Sequence, residues 1–177
     1  MSMRFPLSVV VMLAIAAGSA AEQVKKSEVP GITNFSRVDA TVGCGGATQP
    51  TAMAELKKEG FRSVINLRMA SEQGTDIEGS RAAAQSAGLR YIHLPFDAAS
   101  PDPKLVDNFL SAVADKSNQP VYIHCASANR VGSVWMIKRA LQDGWEIEKA
   151  QQEAEAIGLS NPRLKTFAVE YIRSHKK

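Results

Sequence analysis

The chain has few of the residues that build metal or disulfide frameworks: two cysteines and three histidines in 177 residues. His93 and His175 have no second ligand at useful spacing, which argues against a metal site. No Gly-Lys-Ser/Thr follows the Gly-rich stretch Gly43–Pro50, so that stretch is not by itself a phosphate loop. Aromatic residues make up only 6%, and no long basic patch interleaves with them, which argues against nucleic acid as a partner. Repeats and low-complexity tracts are absent. The longest apolar run, Phe5 to Ala17, is relieved only by Ser8 and is too short for a comfortable membrane span. No cysteine stands at its end to accept a lipid.

That run follows a short basic head, Met1 to Arg4, and precedes the small-residue stretch Gly18-Ser19-Ala20-Ala21. Head, apolar core and small residues together read as a secretory signal peptide over residues 1–21. The mature chain is therefore expected to be periplasmic or secreted, without a stable membrane anchor. Residues 22–34 are polar and read as a linker, and residues 35–177 as one domain, since 45% hydrophobic content suits a globular core. The net charge of +3 includes Arg4, so that domain is closer to neutral. The end, Arg173 to Lys177, reads as a solvated tail.

Along the domain, strand and helix patterns alternate. Phe35 to Val42 is a candidate first strand. The Gly43–Pro50 turn leads to a helix from Thr51 to Glu59, closed by Gly60. Ser63 to Leu67 is a second strand, Ile77 to Ala87 a helix stopped by Gly88, and Leu89 to Leu94 a third strand. Pro95 to Pro103 is loop by its prolines. With Asp102 as cap and Pro103 at the first position, Leu105, Val106, Phe109, Leu110 and Val113 mark a helical face. Ile147 to Ile157 is a further helix ended near Gly158, and Asn161-Pro162 opens the last. This order implies an α/β three-layer sandwich: a mostly parallel sheet of four to five strands with helices on both faces.

The chemistry concentrates in Val121 to Ser133. An uncharged run ending at His124 reads as a buried strand, and Val134, Ile137 and Leu141 fall on one face of the helix beyond. Cys125, at the strand's end, then sits against the first unpaired N–H groups of that helix, whose partial positive charge favours thiolate over thiol and binds anions. Arg130 presents a planar fork of donors suited to a tetrahedral oxyanion. A cation at a helix start opposes the helix dipole, which points to a bound anion as its offset. His124 reads as a backbone hydrogen-bonding residue behind the loop. Asn129 reads as a loop residue serving the backbone, because Asn tolerates the left-handed conformation.

His124-Cys125, a short loop and Arg130 opening a helix resemble the active-site loop of the cysteine-dependent protein phosphatases, especially the dual-specificity type. The wider run His124 to Gly132 is similar to a bacterial branch of that superfamily, the phosphatase-like or beta-lactamase-hydrolase-like proteins, and the resemblance covers roughly Phe35 to Leu159. It implies hydrolysis of phosphomonoesters through a phosphocysteine on Cys125. The anion-binding loop would be Ala126, Ser127, Ala128, Asn129 and Arg130, and Asp97 the general acid on the loop after the preceding strand. Asp102 competes for that last role, but helix capping accounts for it. The substrate would be a phosphorylated small molecule or phosphoprotein, with no metal or organic cofactor. The phosphatase signature has five residues between Cys and Arg and usually a Ser or Thr after the Arg. Here four intervene, Val131 follows, and Ser133 comes two positions later as a candidate to stabilise the thiolate. A four-residue loop resembles rhodanese-type sulfurtransferases, so a persulfide on Cys125 is the rival chemistry. A non-catalytic anion- or phosphopeptide-binding module is the third reading. Cys44, in the Gly-rich turn, is a candidate resolving thiol for Cys125 in an oxidising compartment, or else an unpaired packed residue.

Overall fold

A computed structural model describes residues 24–176; the expected signal peptide lies outside the described residues. The alternation read from the sequence is present, and the strands form one six-stranded sheet. In chain order the strands are β1 (Lys25–Lys26), β2 (Ser36–Arg37), β3 (Val42–Gly45), β4 (Ser63–Asn66), β5 (Arg90–His93) and β6 (Val121–His124). Their spatial order is β1-β2-β3-β6-β4-β5, with β3, β6, β4 and β5 parallel and β1 and β2 added antiparallel at one edge.

Two boundaries differ from expectation. The single strand read over Phe35 to Val42 is folded into a hairpin, because Asp39 accepts from the Thr41 N–H and hydroxyl and turns the chain. Within the segment read as a linker, Lys25–Lys26 pairs with Ser36–Arg37, and Lys26 Nζ donates to Asn34 Oδ1 and the Ile157 carbonyl. The polarity that suggested a linker is that of an exposed edge strand.

Helices cover both faces. On one lie α1 (Met53–Lys58) and α2 (Ile77–Ser86), packed over Val64, Phe61 and Tyr122. On the other lie α3 (Pro103–Ala114), α4 (Asn129–Leu141), α5 (Ile147–Ile157) and α6 (Pro162–His175), over Val42, Ile65, Val121 and Ile123. Alternation along each strand divides the two cores, as the pleat requires. The caps read from the sequence form: Asp102 accepts from the Lys104 N–H at α3, and Asn161 from the Arg163 and Leu164 N–H groups at α6.

Helix α4 is buried nearly all round, between the sheet and α5 and α6. That exceeds the single apolar face read from its sequence. Gly132 makes it possible: a Cβ there would meet the Ala154 carbonyl oxygen and Leu159 Cβ, each at 2.8 Å. Among the described residues no helix is long and apolar enough to cross a membrane.

Candidate active site

The four parallel strands end on one rim, at Gly45, His124, Asn66 and His93. That carboxyl-terminal edge is where open α/β sheets bind ligands. Strand β6 delivers Cys125 to it. The thiol is fully buried, under the start of α4. Among the described residues, none of the N–H groups from Ala126 to Val131 finds a backbone acceptor; the first bond back into the loop is from Gly132 N–H to the Ala128 carbonyl. A short loop with six amide donors lacking a backbone acceptor, beside a thiol, has the form of an anion cradle.

The loop's shape rests on Ala128 rather than Asn129. Ala128 carries the positive φ of 68°, at a cost of about 1 kcal/mol for a residue with a Cβ, and forms the N-cap of α4. Asn129 is helical, and it serves the backbone of a different segment. Its Oδ1 accepts from the N–H groups of Ser160 and Asn161 at 2.7 Å each, and its Nδ2 donates to Ser127 Oγ at 3.2 Å. The α5–α6 turn is thereby tied to the nucleophile loop, a link that no local pattern announces.

Arg130 is 8% exposed and held from three directions. Nη1 donates to the carbonyls of Leu67 (3.1 Å) and Phe96 (3.0 Å) and to Glu72 Oε1 (2.5 Å), and Nη2 to Glu72 Oε2 at 2.8 Å. Nε–H and the second Nη2–H keep no protein acceptor other than the nearby Cys125 sulfur; against burial, which lowers it, the Glu72 hydrogen bonds and then Cys125 and the Glu72 charge raise the pKa of Arg130. The fork read from the sequence is therefore half spent on anchoring and half free. The offset for a cation at a helix start is partly internal: Glu72.

Glu72 was not legible as a site residue, since it lies in a loop 58 positions from Arg130. It also accepts from Arg68 Nε at 3.2 Å and from the Met69 N–H at 2.7 Å. Burial alone would push its carboxyl up; the hydrogen bonds from Arg130, Met69 and Arg68 and the Arg130 charge overcome this and hold it down at about 2. The only sequence signal was an acid flanked by loop residues just after strand β4.

The remaining candidates divide. Asp97 is exposed and lines, with Glu72, Phe96, Ala98 and Arg130, a cavity of about 430 Å³ beside the loop. Its Oδ1 accepts from the Ala99 N–H, and its other oxygen is free. Asp102 only caps α3. Ser133 is fully buried and donates to the Leu164 carbonyl at 3.1 Å, so it anchors α6 and does not serve Cys125. His124 stacks on Tyr122, ring centroids 5.8 Å apart, and its ring lies against the Cys125 and Gly46 backbone carbonyls, the side expected of it, without a hydrogen bond of ordinary geometry. Burial, with a smaller push from the Arg68 charge, holds it neutral, at about 3.

Cys44 lies in the buried strand β3 rather than in a mobile turn, and both cysteines are free. Gly43 and Gly45 do not loosen this strand; they leave room for the Phe61 ring and the Tyr122 hydroxyl where a Cβ would clash. Cys44 is opposite Ile123, two residues before Cys125 on the same face. Strand spacing and a two-residue offset separate the two Cα atoms by about 8 Å, beyond the ~7 Å a disulfide spans. Burial pushes the Cys44 thiol well up, with the Glu153 and Asp39 charges adding to it. Cys44 is the packed residue of the two readings.

The family model for the phosphatase-like domain of beta-lactamase hydrolase-like proteins matches residues 35–142, a span that takes in Glu72, Asp97, Cys125 and Arg130. No curated protein matches the chain. Among solved structures it is similar to TpbA of P. aeruginosa, at 24% identity and a TM-score of 0.66, over 88% of this chain and 91% of that one. A structure of TpbA in complex with pTyr aligns at 21% identity and 0.67, over 90% and 93%. The core catalytic domain of the PP-IP phosphatase SIW14 from S. cerevisiae, in complex with citrate, aligns at 19% and 0.68, over 83% and 93%. At these identities the likeness is one of fold.

Proposed function

Because the chain belongs to the family of the phosphatase-like domain of beta-lactamase hydrolase-like proteins, we propose that it hydrolyses phosphomonoesters through Cys125. The observation that carries this reading is the pairing of six unspent loop amides with the two free donors of Arg130, all around one buried thiol. Sulfur of Cys125 attacks phosphorus in line; the S–P bond forms as the bond from phosphorus to the leaving oxygen breaks. Amides and the Arg130 fork take up the charge on the equatorial oxygens. Asp97 gives its proton to the leaving oxygen, then takes one from the water that attacks phosphorus and releases the Cys125 thiolate.

The cavity at the mouth favours one phosphate on an apolar body. Phe96, Met69, Ala98 and Ala99 line it; among the described residues its only cation is Arg130, and Glu72 and Asp97 are its acids. A polyphosphorylated substrate would meet two carboxylates and no further positive charge. An aryl phosphate of the phosphotyrosine type fits better, free or on a protein. The signal-type pattern of residues 1–21 supports a site of action outside the cytoplasm.

The test is hydrolysis of an aryl phosphate by wild type beside Cys125→Ser. Turnover by wild type alone supports the proposal; absent turnover in both, or equal turnover in both, overturns it. Thiosulfate treatment in parallel, read by mass spectrometry of the Cys125 peptide, separates the sulfur chemistry: an added sulfur atom there without phosphatase activity assigns the loop to sulfur transfer.

A further inference from the structure

A second cavity opens on the same rim, on the side of α1 and α2. The loop from Arg68 to Thr75 contributes to both cavities: Met69, Ser71 and Glu72 to the one at Asp97, Arg68, Gly74 and Thr75 to this one. It encloses about 200 Å³, and its polar lining includes Asn66, Arg68, Thr75, Asp76, Ser80 and His124. Organic ligands usually occupy about 300–1,000 Å³, so this space suits one small ion and its water.

Three observations bear on what fills it. His124 is 1% exposed and neither ring nitrogen makes a hydrogen bond of ordinary geometry, although the Cys125 and Gly46 carbonyls lie beside the ring. The Thr75 hydroxyl is buried and equally unpartnered. Arg68, 7% exposed, spends Nε on Glu72, one Nη1–H on the Gly74 carbonyl and one Nη2–H on the Gln73 carbonyl, which leaves one free N–H on each Nη. Unmatched buried polar atoms are costly and rare, and the Thr75 hydroxyl and the His124 ring, on one small cavity with the two free N–H groups of Arg68, point to a common partner. Charge gives that partner its sign. Arg68 and Arg130 share the single carboxylate of Glu72, two positive charges against one negative. Among the described residues Asp76 is the only acid lining this cavity; it is exposed, and its Oδ1 is spent on the Gly79 N–H as the cap of α2.

The geometry points to a second anion site: one inorganic oxyanion, phosphate by size and charge, bound by the free Nη–H groups of Arg68, the Thr75 hydroxyl and a ring N–H of His124. It stands behind the nucleophile loop, on the opposite sheet face from Cys125, and does not rest on the phosphatase reading. A neutral imidazole can place its one proton on whichever nitrogen faces the anion, so His124 need not be charged to donate.

Sodium sulfate at constant ionic strength is the probe, and the ring nitrogens of His124, followed by NMR in the full chain, are the readout. Sulfate should move these resonances in wild type and in Thr75→Ser, which keeps the hydroxyl. In Thr75→Val the midpoint should weaken about tenfold, the loss expected for one hydrogen bond to a charged group. Sulfate inhibition of aryl phosphate hydrolysis should be unchanged in Thr75→Val, because that inhibition reads the Cys125 cradle. Ring resonances that ignore sulfate mean a cavity filled by water alone and overturn the inference. The same midpoint in Thr75→Val as in wild type overturns it too, since the ring would then report only the cradle. A chain that proves inactive as a phosphatase leaves the ring titration fully readable.

Discussion

Replacing Glu72 by Gln tests the charge cluster at its centre. The variant keeps the size and one acceptor oxygen but removes the charge shared by Arg68 and Arg130. The Glu72 carboxyl falls from 4.5 to about 2 in the folded chain, which corresponds to about 3 kcal/mol at 1.36 kcal/mol per pKa unit. The side chain is 25% exposed, and solvent screening on that side reduces the figure to about 1–2 kcal/mol. At roughly 2–4 °C per kcal/mol for a chain of this size, the variant should melt roughly 2–8 °C below wild type at pH 7. The sign with pH is fixed by the direction of the shift. A carboxyl depressed on folding stabilises fully above its unfolded value near 4.5, and that contribution is lost as pH falls through about 2. Thermal melts by far-ultraviolet circular dichroism at stepped pH should therefore show the gap constant from pH 7 to about 5, narrowing below 4.5 and nearly closed near 2. A gap that does not change with pH would assign the loss to packing, and no gap at pH 7 would show that the cluster contributes nothing net.

Two further substitutions examine the chemistry. Arg130→Lys keeps the charge but gives up the fixed fork that reaches Leu67, Phe96 and Glu72 together, so kcat/KM on an aryl phosphate should fall about 100-fold; turnover within about threefold of wild type would show that parallel donors are not what Arg130 supplies. Asp97→Asn should slow phenyl phosphate about 100-fold and an activated nitrophenyl ester far less, because a good leaving group needs little protonation; equal losses on both esters would remove Asp97 from the proton-donor role.

Local pattern in the sequence determined a good part of this protein. Asp102-Pro103 and Asn161-Pro162 open helices where they stand, because capping and the fixed φ of proline act within a turn. The strand–loop–helix around Cys125 is local in the same way, so nucleophile, cradle and cation were legible together. What spans the chain was not. Glu72 meets Arg130 only because β4 lies beside β6 in the sheet, an order of strands that no spacing of residues encodes. Asn129 looked like a left-handed turn residue, since Asn is the commoner choice; the rigid cap at Ala128 and three donors from the α5–α6 turn placed it otherwise. The glycines around Cys44 read as flexibility, the property of an isolated glycine. Tertiary packing used them for their missing side chains, to seat Phe61 and Tyr122 against β3. Likewise Ser133 had the residue type of a thiolate partner, and the rotation of α4 turned it toward α6. Sequence fixes what a residue can do within a turn or two of chain, where conformational preferences act. Which distant groups share a charge or a cavity follows from strand order and helix rotation, and those are set by the burial of the whole core.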